Sequence, residues 1–116
     1  MPVVAFLDAF ADAWNRGDVD AIMASMTDDC VFVTSGGDRF VGHTAVREVF
    51  QDVVSSFGDL HFRDPRHFVD GDRGLSEWVF TGVDFEDNEA VEIEGCDLFT
   101  FRDGKIAVKN TYMKQS

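Results

Sequence analysis

The second half of the chain predicts four consecutive β-strands. Four segments rich in β-branched and aromatic residues follow one another, and turn-forming residues such as Asp103-Gly104 separate them. We therefore expect an antiparallel meander in which Pro65 marks a bulge or a sheet edge. The four predicted strands are Leu60–Val69, Gly74–Phe85, Ala90–Phe101 and Lys105–Met113.

The third of these strands carries one carboxylate on an otherwise apolar face. Side chains alternate between the two faces of a strand. A buried carboxylate is costly unless it is hydrogen-bonded, paired or protonated, so Asp97 is the first candidate for chemistry. A structural role, with Asp97 bonded to neighbouring backbone groups, explains the same pattern. The face consists of Val91, Ile93, Gly95, Asp97, Phe99 and Phe101.

Three helices are predicted before the meander. Val3–Arg16 has an apolar stripe at helical spacing and ends at Gly17. Asp18 suits the N-cap of a short second helix, Val19–Met26, and Thr44 suits the N-cap of a third that continues to about Phe57.

Two short extended segments are predicted between the second and third helices. Thr27-Asp28-Asp29 resembles a turn, and the strand Cys30–Thr34 and the piece Arg39–Val41 follow. The order of elements indicates an α+β domain rather than alternating α/β. Three N-terminal helices on one face of a strongly curved, mainly antiparallel sheet would enclose a cone, and its wide end would be a natural small-molecule pocket.

Composition narrows the classes of function. The length of 116 residues fits a single domain, 1–116, and the net charge of −12 argues against nucleic acid or an anionic membrane as a partner. The sequence has no candidate membrane span and no signal-peptide pattern, so we expect a cytoplasmic protein. Cys30 and Cys96 are expected to be free thiols. His61 and His67 lie on one predicted strand, where alternation places them on the same face but too far apart to chelate a metal. With His43 they form no ligand motif, and no metal or other cofactor is expected.

Several motifs together resemble the nuclear transport factor 2-like superfamily, in its SnoaL-like and ketosteroid-isomerase-like branch. The resemblance implies a cone-shaped α+β barrel that commonly dimerises through its sheet, and it implies no single activity. The motifs are Trp14-Asn15-Arg16-Gly17-Asp18, Asp28-Asp29-Cys30-Val31-Phe32, Gly42 with Val46-Arg47-Glu48, and Gly95-Cys96-Asp97-Leu98-Phe99-Thr100-Phe101-Arg102-Asp103-Gly104-Lys105-Ile106.

The resemblance also implies where the functional residues of ketosteroid isomerases would fall in this sequence. Only one of those positions keeps its functional group. Asp97 occupies the position of the protonated aspartate, whereas Thr34 stands where that family has its base. Phe10 occupies the position of that family's oxyanion-binding tyrosine, and Met26 and Phe50 occupy the positions of its supporting tyrosines. Because enolisation needs a base and a stabiliser together, the ketosteroid isomerase mechanism is not expected here.

The group beside Asp97 depends on the turn after Phe101. A two-residue turn would place Asn110 opposite Asp97, and a three-residue loop would place Lys109 there. The resemblance favours Lys109, since pocket-facing positions in the superfamily match Lys109 and Met113. An Asp97–Lys109 pair could bind or activate a ligand, or could be a hydrated ion pair at the rim.

These observations give three hypotheses of function. The first is a small enzyme (an isomerase, cyclase, hydrolase or lyase) that acts on an apolar or aromatic carbonyl-type metabolite, with Asp97 as acid or base and Lys109 or Thr111 orienting the substrate. The second is a ligand-binding domain without catalysis, and the third is an interaction module. The predicted pocket residues, which ordinary core packing would also explain, are Phe10, Trp14, Met26, Phe32, Thr34, Phe50, Thr111 and Met113.

The outer face of the late strands carries more apolar surface than a solvated face needs. A homodimer through this face is therefore expected. The face includes Cys96, Leu98, Thr100, Val108 and Tyr112.

Overall fold

Three helices pack on one face of a six-stranded sheet in a computed structural model that describes residues 3–114. Within these residues no helix is long and apolar enough to cross a membrane. The elements are α1 (Val4–Asn15), α2 (Val19–Ala24), β1 (Met26–Val33), β2 (Arg39–Val41), α3 (His43–Ser56), β3 (Phe57–Asp70), β4 (Arg73–Asp84), β5 (Glu89–Arg102) and β6 (Lys105–Met113).

The sheet is mainly antiparallel and open, in the order β2-β1-β6-β5-β4-β3. Strands β3 to β6 form the predicted meander, and within residues 3–114 only the β1–β6 pair is parallel. Helix α1 packs against β3 and α3 packs against β1, so the core lies between the helices and the inner face of the sheet. The predicted α+β fold class is confirmed.

Strand β1 begins earlier than predicted. Thr27-Asp28-Asp29 is part of the strand rather than a turn, and α2 ends at Ala24 instead of continuing to Met26. Met26 pairs with Ile106 of β6 across an irregular stretch of ladder, and the Ile106 N–H donates to the Ser25 carbonyl at 2.8 Å. Pairing with a distant strand has therefore overridden the local turn signal.

Helix α3 begins without the predicted side-chain cap. Its N-cap is Gly42, at a φ of 96°, and the helix starts at His43 rather than after Thr44. The Gly42 N–H donates to the Cys30 carbonyl at 2.8 Å, and the Gly42 carbonyl accepts the first helical hydrogen bond from Val46 at 3.0 Å. A positive φ costs little for glycine and more for other residues. The start of α3 is therefore set by the backbone conformation of Gly42 and not by a side-chain cap.

A register shift in β3 separates the two histidines of that strand. His61 pairs with Thr81 and is exposed, whereas His67 pairs with Ser76 on the inner face. The expectation that they share a face is wrong, because the ladder shifts between Arg63 and Arg66. Pro65 lies in this shift on an edge strand, as predicted.

A bulge in β6 decides the register beside Asp97. Asp103 and Gly104 both have positive φ, and Phe101 pairs with Ile106 across this two-residue turn. The next pair is Thr100 with Val108, so Ala107 is an extra residue in β6 with no partner in β5. Because of this extra residue, Lys109 faces the inner side of the sheet.

Both registers considered from the sequence are therefore wrong about the residue opposite Asp97. Its partner is Thr111, and Lys109 lies opposite Phe99.

Candidate functional site

A polar row crosses the inner face of the sheet. His67, Ser76, Asp97 and Thr111 lie directly opposite one another on the four adjacent strands β3, β4, β5 and β6. Ser76, Asp97 and Thr111 are buried, and the His67 side chain is 3% exposed. Because the surrounding inner face is aromatic, each member of this row needs a polar partner.

Asp97 accepts hydrogen bonds at both carboxylate oxygens. The Trp78 indole N–H donates to Oδ2 at 2.9 Å, and the Thr111 hydroxyl donates to Oδ1 at 2.6 Å. The Lys109 ammonium lies 3.1 Å from the same Oδ1. The expected Asp97–Lys109 pair is present and buried, with side-chain exposures of 7% and 8%, so it is not a rim contact.

Lys109 is held between oxygen atoms and aromatic rings. Its Nζ donates to the Thr111 hydroxyl at 3.0 Å and lies 4.7 Å from the centre of the Phe32 ring. Trp14 and Phe50 each place a ring centre 5.6 Å from the same nitrogen. These ring faces partly replace the hydration that burial removes from the ammonium. Since desolvation offsets most of the attraction in a buried ion pair, the pair is poor evidence of a purely stabilising role.

His67 connects the polar row to the surface. Its Nδ1 lies 2.7 Å from the Ser76 hydroxyl, and its Nε2 lies 3.2 Å from Oδ1 of Asp8 on α1. The second contact is within ion-pair distance, although its angle falls short of a hydrogen bond. Burial lowers the pKa of His67, and the nearby Asp8 carboxylate opposes that shift.

A small cavity lies between α1 and the inner face of the sheet. Its volume is about 20 Å³, which is room for about one water molecule. Aromatic and apolar side chains form most of its wall, and the polar groups converge on one side. The lining residues are Leu7, Phe10, Ala11, Trp14, Phe62, Pro65, His67, Ser76, Trp78, Asp97, Phe99 and Lys109.

Trp14 lines the cavity and carries an unused hydrogen-bond donor. The residue is 4% exposed, and its indole N–H has no hydrogen-bond partner among residues 3–114. A buried donor without an acceptor is costly, so an oxygen atom of a guest in the cavity would relieve that cost.

The structure brings together only some of the predicted site residues. Asp97, Lys109, Phe10 and Trp14 line the cavity, and Thr111, Phe32 and Phe50 lie directly behind its charged pair. The other three predicted residues neither line the cavity nor lie behind the charged pair. They are Met26, which is buried in the core, Met113, which is 38% exposed at the sheet rim, and Thr34, whose hydroxyl accepts from the Asp38 N–H at 3.1 Å.

Four residues that supply polar atoms to the site were not predicted from the sequence. Trp78 and Ser76 alternate with outward residues on β4, a signal that could have been found by extending the face argument across the hairpin. His67 was assigned the wrong relation to His61 because the bulge in β3 is invisible to alternation. Asp8 lies on the polar side of α1, and nothing local distinguishes it.

The fold and the site define an NTF2-like α+β cone with polar residues at its inner wall. Residues 7–109 match the SnoaL-like domain family, and the chain belongs to that family. No curated protein matches the chain.

Solved structures of similar proteins cover almost the whole chain. A protein proposed to be a polyketide cyclase, from Xanthomonas campestris pv. campestris, is 26% identical with a TM-score of 0.87, over 94% of this chain and 87% of that one. TerC, co-crystallised with polyporic acid, is 19% identical with a TM-score of 0.80, over 96% and 90%. A hypothetical protein of ketosteroid isomerase-like fold from Catenulispora acidiphila, in complex with trimethylamine, is 17% identical with a TM-score of 0.84, over 96% and 86%.

Proposed function

We propose that the chain binds a small apolar or aromatic compound with a carbonyl-type oxygen in the cavity beside Asp97 and Lys109. The observation that carries this proposal is the buried ion pair, which faces aromatic rings at the one polar side of an apolar cavity. Ligand sites commonly combine apolar walls with a few convergent polar groups.

Two donors favour an oxygen atom in the ligand. Lys109 has three N–H groups. One donates to the Thr111 hydroxyl, and even if a second is directed at Asp97, 3.1 Å away, a third remains for a guest. The Trp14 indole N–H is also unused within the described residues. A carbonyl oxygen that accepts from both would be held and polarised, while its apolar body packs against rings such as Phe10.

The reaction proposed for such a ligand is proton transfer at or near its carbonyl group, as in an isomerase, cyclase, hydrolase or lyase. Asp97 would take or return the proton, and Lys109 would stabilise the negative oxygen that forms. The polyketide cyclase proposed for the Xanthomonas protein and the polyporic acid bound to TerC support a carbonyl-rich aromatic ligand.

A non-catalytic binding role is the second candidate. Both oxygens of Asp97 already accept hydrogen bonds from protein groups, which leaves the carboxylate little freedom to take up a proton. Thr34 and Phe10 also stand where ketosteroid isomerases have a base and a tyrosine. In this role Asp97 and Lys109 would only orient the ligand.

A ligand larger than one water molecule requires the wall of the cavity to move. One part of the wall is the irregular segment around Pro65, on an edge strand, where Asp64 has a φ of 54°. Asn15 fastens β3 just before it, through hydrogen bonds to the backbone of Phe62 at 2.7 and 3.4 Å. We infer that the ligand enters beside Pro65.

A thermal-shift panel of steroids, aromatic acids and polyketide-like compounds tests the proposal. A ligand that binds the folded state raises Tm, and the rise should be lost in Asp97→Asn and Lys109→Met. Asp103→Asn is the matched control, since it removes an exposed carboxylate at a positive φ that asparagine tolerates. The proposal fails if no compound raises Tm, or if the responses of Asp97→Asn and wild type are equal. Turnover of a bound compound that Asp97→Asn abolishes would select the enzyme over the binding domain.

A homodimer through the outer face of the sheet is the proposed assembly. On that face Phe68, Leu75 and Leu98 form a row across three strands, and Tyr112 lies on the fourth. Phe68, Leu98 and Tyr112 are 54%, 37% and 50% exposed. A contiguous apolar surface of this kind favours an interface with a second copy, related by a two-fold axis.

A further inference from the structure

Two residues of the polar row, His67 and Ser76, take no part in the Asp97–Lys109 ion pair. Asp8, His67 and Ser76 form a continuous line from solvent to the cavity. We propose that these three residues are a proton relay, in which His67 exchanges protons with a ligand through the Ser76 hydroxyl. The inference rests on the proposed function, since the relay serves a ligand in the same cavity, and it narrows that ligand to a compound with an acidic C–H or O–H.

The outer residue of the line is exposed, and the two inner residues are buried. The Asp8 side chain is 63% exposed, the His67 side chain is 3% exposed, and Ser76 is 5% exposed. His67 and Ser76 both line the cavity, whereas Asp8 faces solvent. The line therefore joins bulk water to the cavity through two buried groups that can each give and accept a proton.

The charge state of His67 suits a base. Burial lowers its pKa, so at neutral pH the ring is uncharged and one nitrogen is a free acceptor. If Nδ1 accepts from the Ser76 hydroxyl, the proton lies on Nε2, which is 3.2 Å from Oδ1 of Asp8. That tautomer prepares Ser76 to pass on its proton, and Asp8 compensates the charge that His67 gains.

The relayed step conserves atoms and charge. As the ligand loses a proton to Ser76 Oγ, the original Ser76 proton moves to His67 Nδ1, and the C–H or O–H electron pair stays on the ligand as an enolate or phenolate. The serine ends neutral, His67 becomes an imidazolium beside Asp8, and Lys109 lies on the cavity wall to stabilise the anion. The reverse sequence returns the proton at another ligand atom.

Ring NMR of the free protein tests the relay without any ligand. In wild type the ¹⁵N shifts of His67 should report an Nε2–H tautomer. Asp8→Asn should lower the pKa of His67 further, because it removes the negative charge that opposes the effect of burial. Ser76→Ala should change the tautomer populations. His61, exposed on the opposite face of the same strand, is the internal control, and its ring ¹⁵N shifts at one pH should be the same in all three proteins.

Hydrogen exchange on a probe tests the transfer itself. Acetophenone is an aromatic ketone whose methyl hydrogens exchange with D₂O through the enolate, and ¹H NMR follows the loss of signal. If wild type accelerates the exchange, His67→Gln and Ser76→Ala should each lower the acceleration about a hundredfold, the scale of one general acid–base group. His61→Gln should leave it unchanged.

The outcomes separate the relay from the proposed function. If Asp97→Asn abolishes the exchange and His67→Gln leaves it intact, the relay is overturned and Asp97 alone is supported as the acid–base group. Exchange that His67→Gln abolishes but Asp97→Asn leaves intact supports the relay and contradicts the acid–base role of Asp97. If acetophenone neither binds nor exchanges, the proposed function fails for aromatic ketones, and the ring titration decides. A His67 that titrates identically in wild type, Asp8→Asn and Ser76→Ala overturns the relay.

Discussion

Lys109 reaches Asp97 across a diagonal of the sheet. The two residues are not cross-strand partners, since Lys109 lies opposite Phe99 and Asp97 lies opposite Thr111, yet Nζ and Oδ1 are 3.1 Å apart. The Thr111 hydroxyl bonds to both groups and so connects them. The arrangement depends on the extra residue, Ala107, which directs Lys109 inward. The ion pair therefore depends on both the Thr111 hydroxyl and the bulge at Ala107.

Breaking the pair from one side is expected to destabilise the fold. Lys109→Met leaves Asp97 buried without its counter-charge and should lower the free energy of unfolding by about 3–5 kcal/mol. Asp97→Asn should cost a similar amount. The double variant should cost about 2 kcal/mol less than the sum of the two, because it leaves no isolated charge. Urea unfolding of the four proteins measures this coupling, and additive losses would show that the two charges do not interact.

The order and type of the elements could be predicted from the sequence, because alternation and helical spacing are local signals. The bounds of Lys105–Met113 agree with the structure, and Gly17 has the expected positive φ of 65°. The site could be predicted only in part. Alternation places Asp97 inside and would also have placed Ser76 there, but His67 and the true partner of Asp97 depend on bulges. A bulge changes which side chains face inward without leaving a pattern in composition.

Gly95 is expected to be essential for the position of Trp78. A methyl group at residue 95 would lie 2.5 Å from the Tyr112 carbonyl oxygen and 2.6 Å from the Trp78 ring. The carbonyl belongs to a paired strand and cannot yield, so Gly95→Ala should lower the stability by about 1–3 kcal/mol and shift the indole that donates to Asp97. Gly36→Ala is the control, since its nearest contact would be an ordinary 3.8 Å. Thermal unfolding and tryptophan fluorescence measure the effect, and equal Tm values for the two variants would contradict it.

His67 is expected to make stability depend on pH. Its pKa in the fold is lowered below the ordinary 6.5, so the unfolded chain binds a proton more readily than the folded one. Its contribution is therefore fully present above pH 6.5 and is lost as the pH falls through the folded pKa. His67→Gln should flatten that part of the stability curve, and His61→Gln should not. Urea midpoints at several pH values measure the curve, and a slope that His67→Gln leaves unchanged would assign the dependence to other groups.

Leu98 is expected to lie near the centre of the proposed homodimer interface. It is 37% exposed on the outer face, and it pairs with Leu75 on one side and Asn110 on the other. Leu98→Arg would bring two like charges close to a two-fold axis and remove apolar contact, so the dimer should dissociate at least tenfold more readily. Val41→Arg is the matched control, because Val41 is an apolar residue 59% exposed on the edge strand β2, three strands away from β5. Sedimentation velocity over a range of concentrations gives the dissociation constant of each protein. A wild type that sediments as a monomer throughout, or a Leu98→Arg dimer as tight as that of Val41→Arg, would exclude this face as the interface.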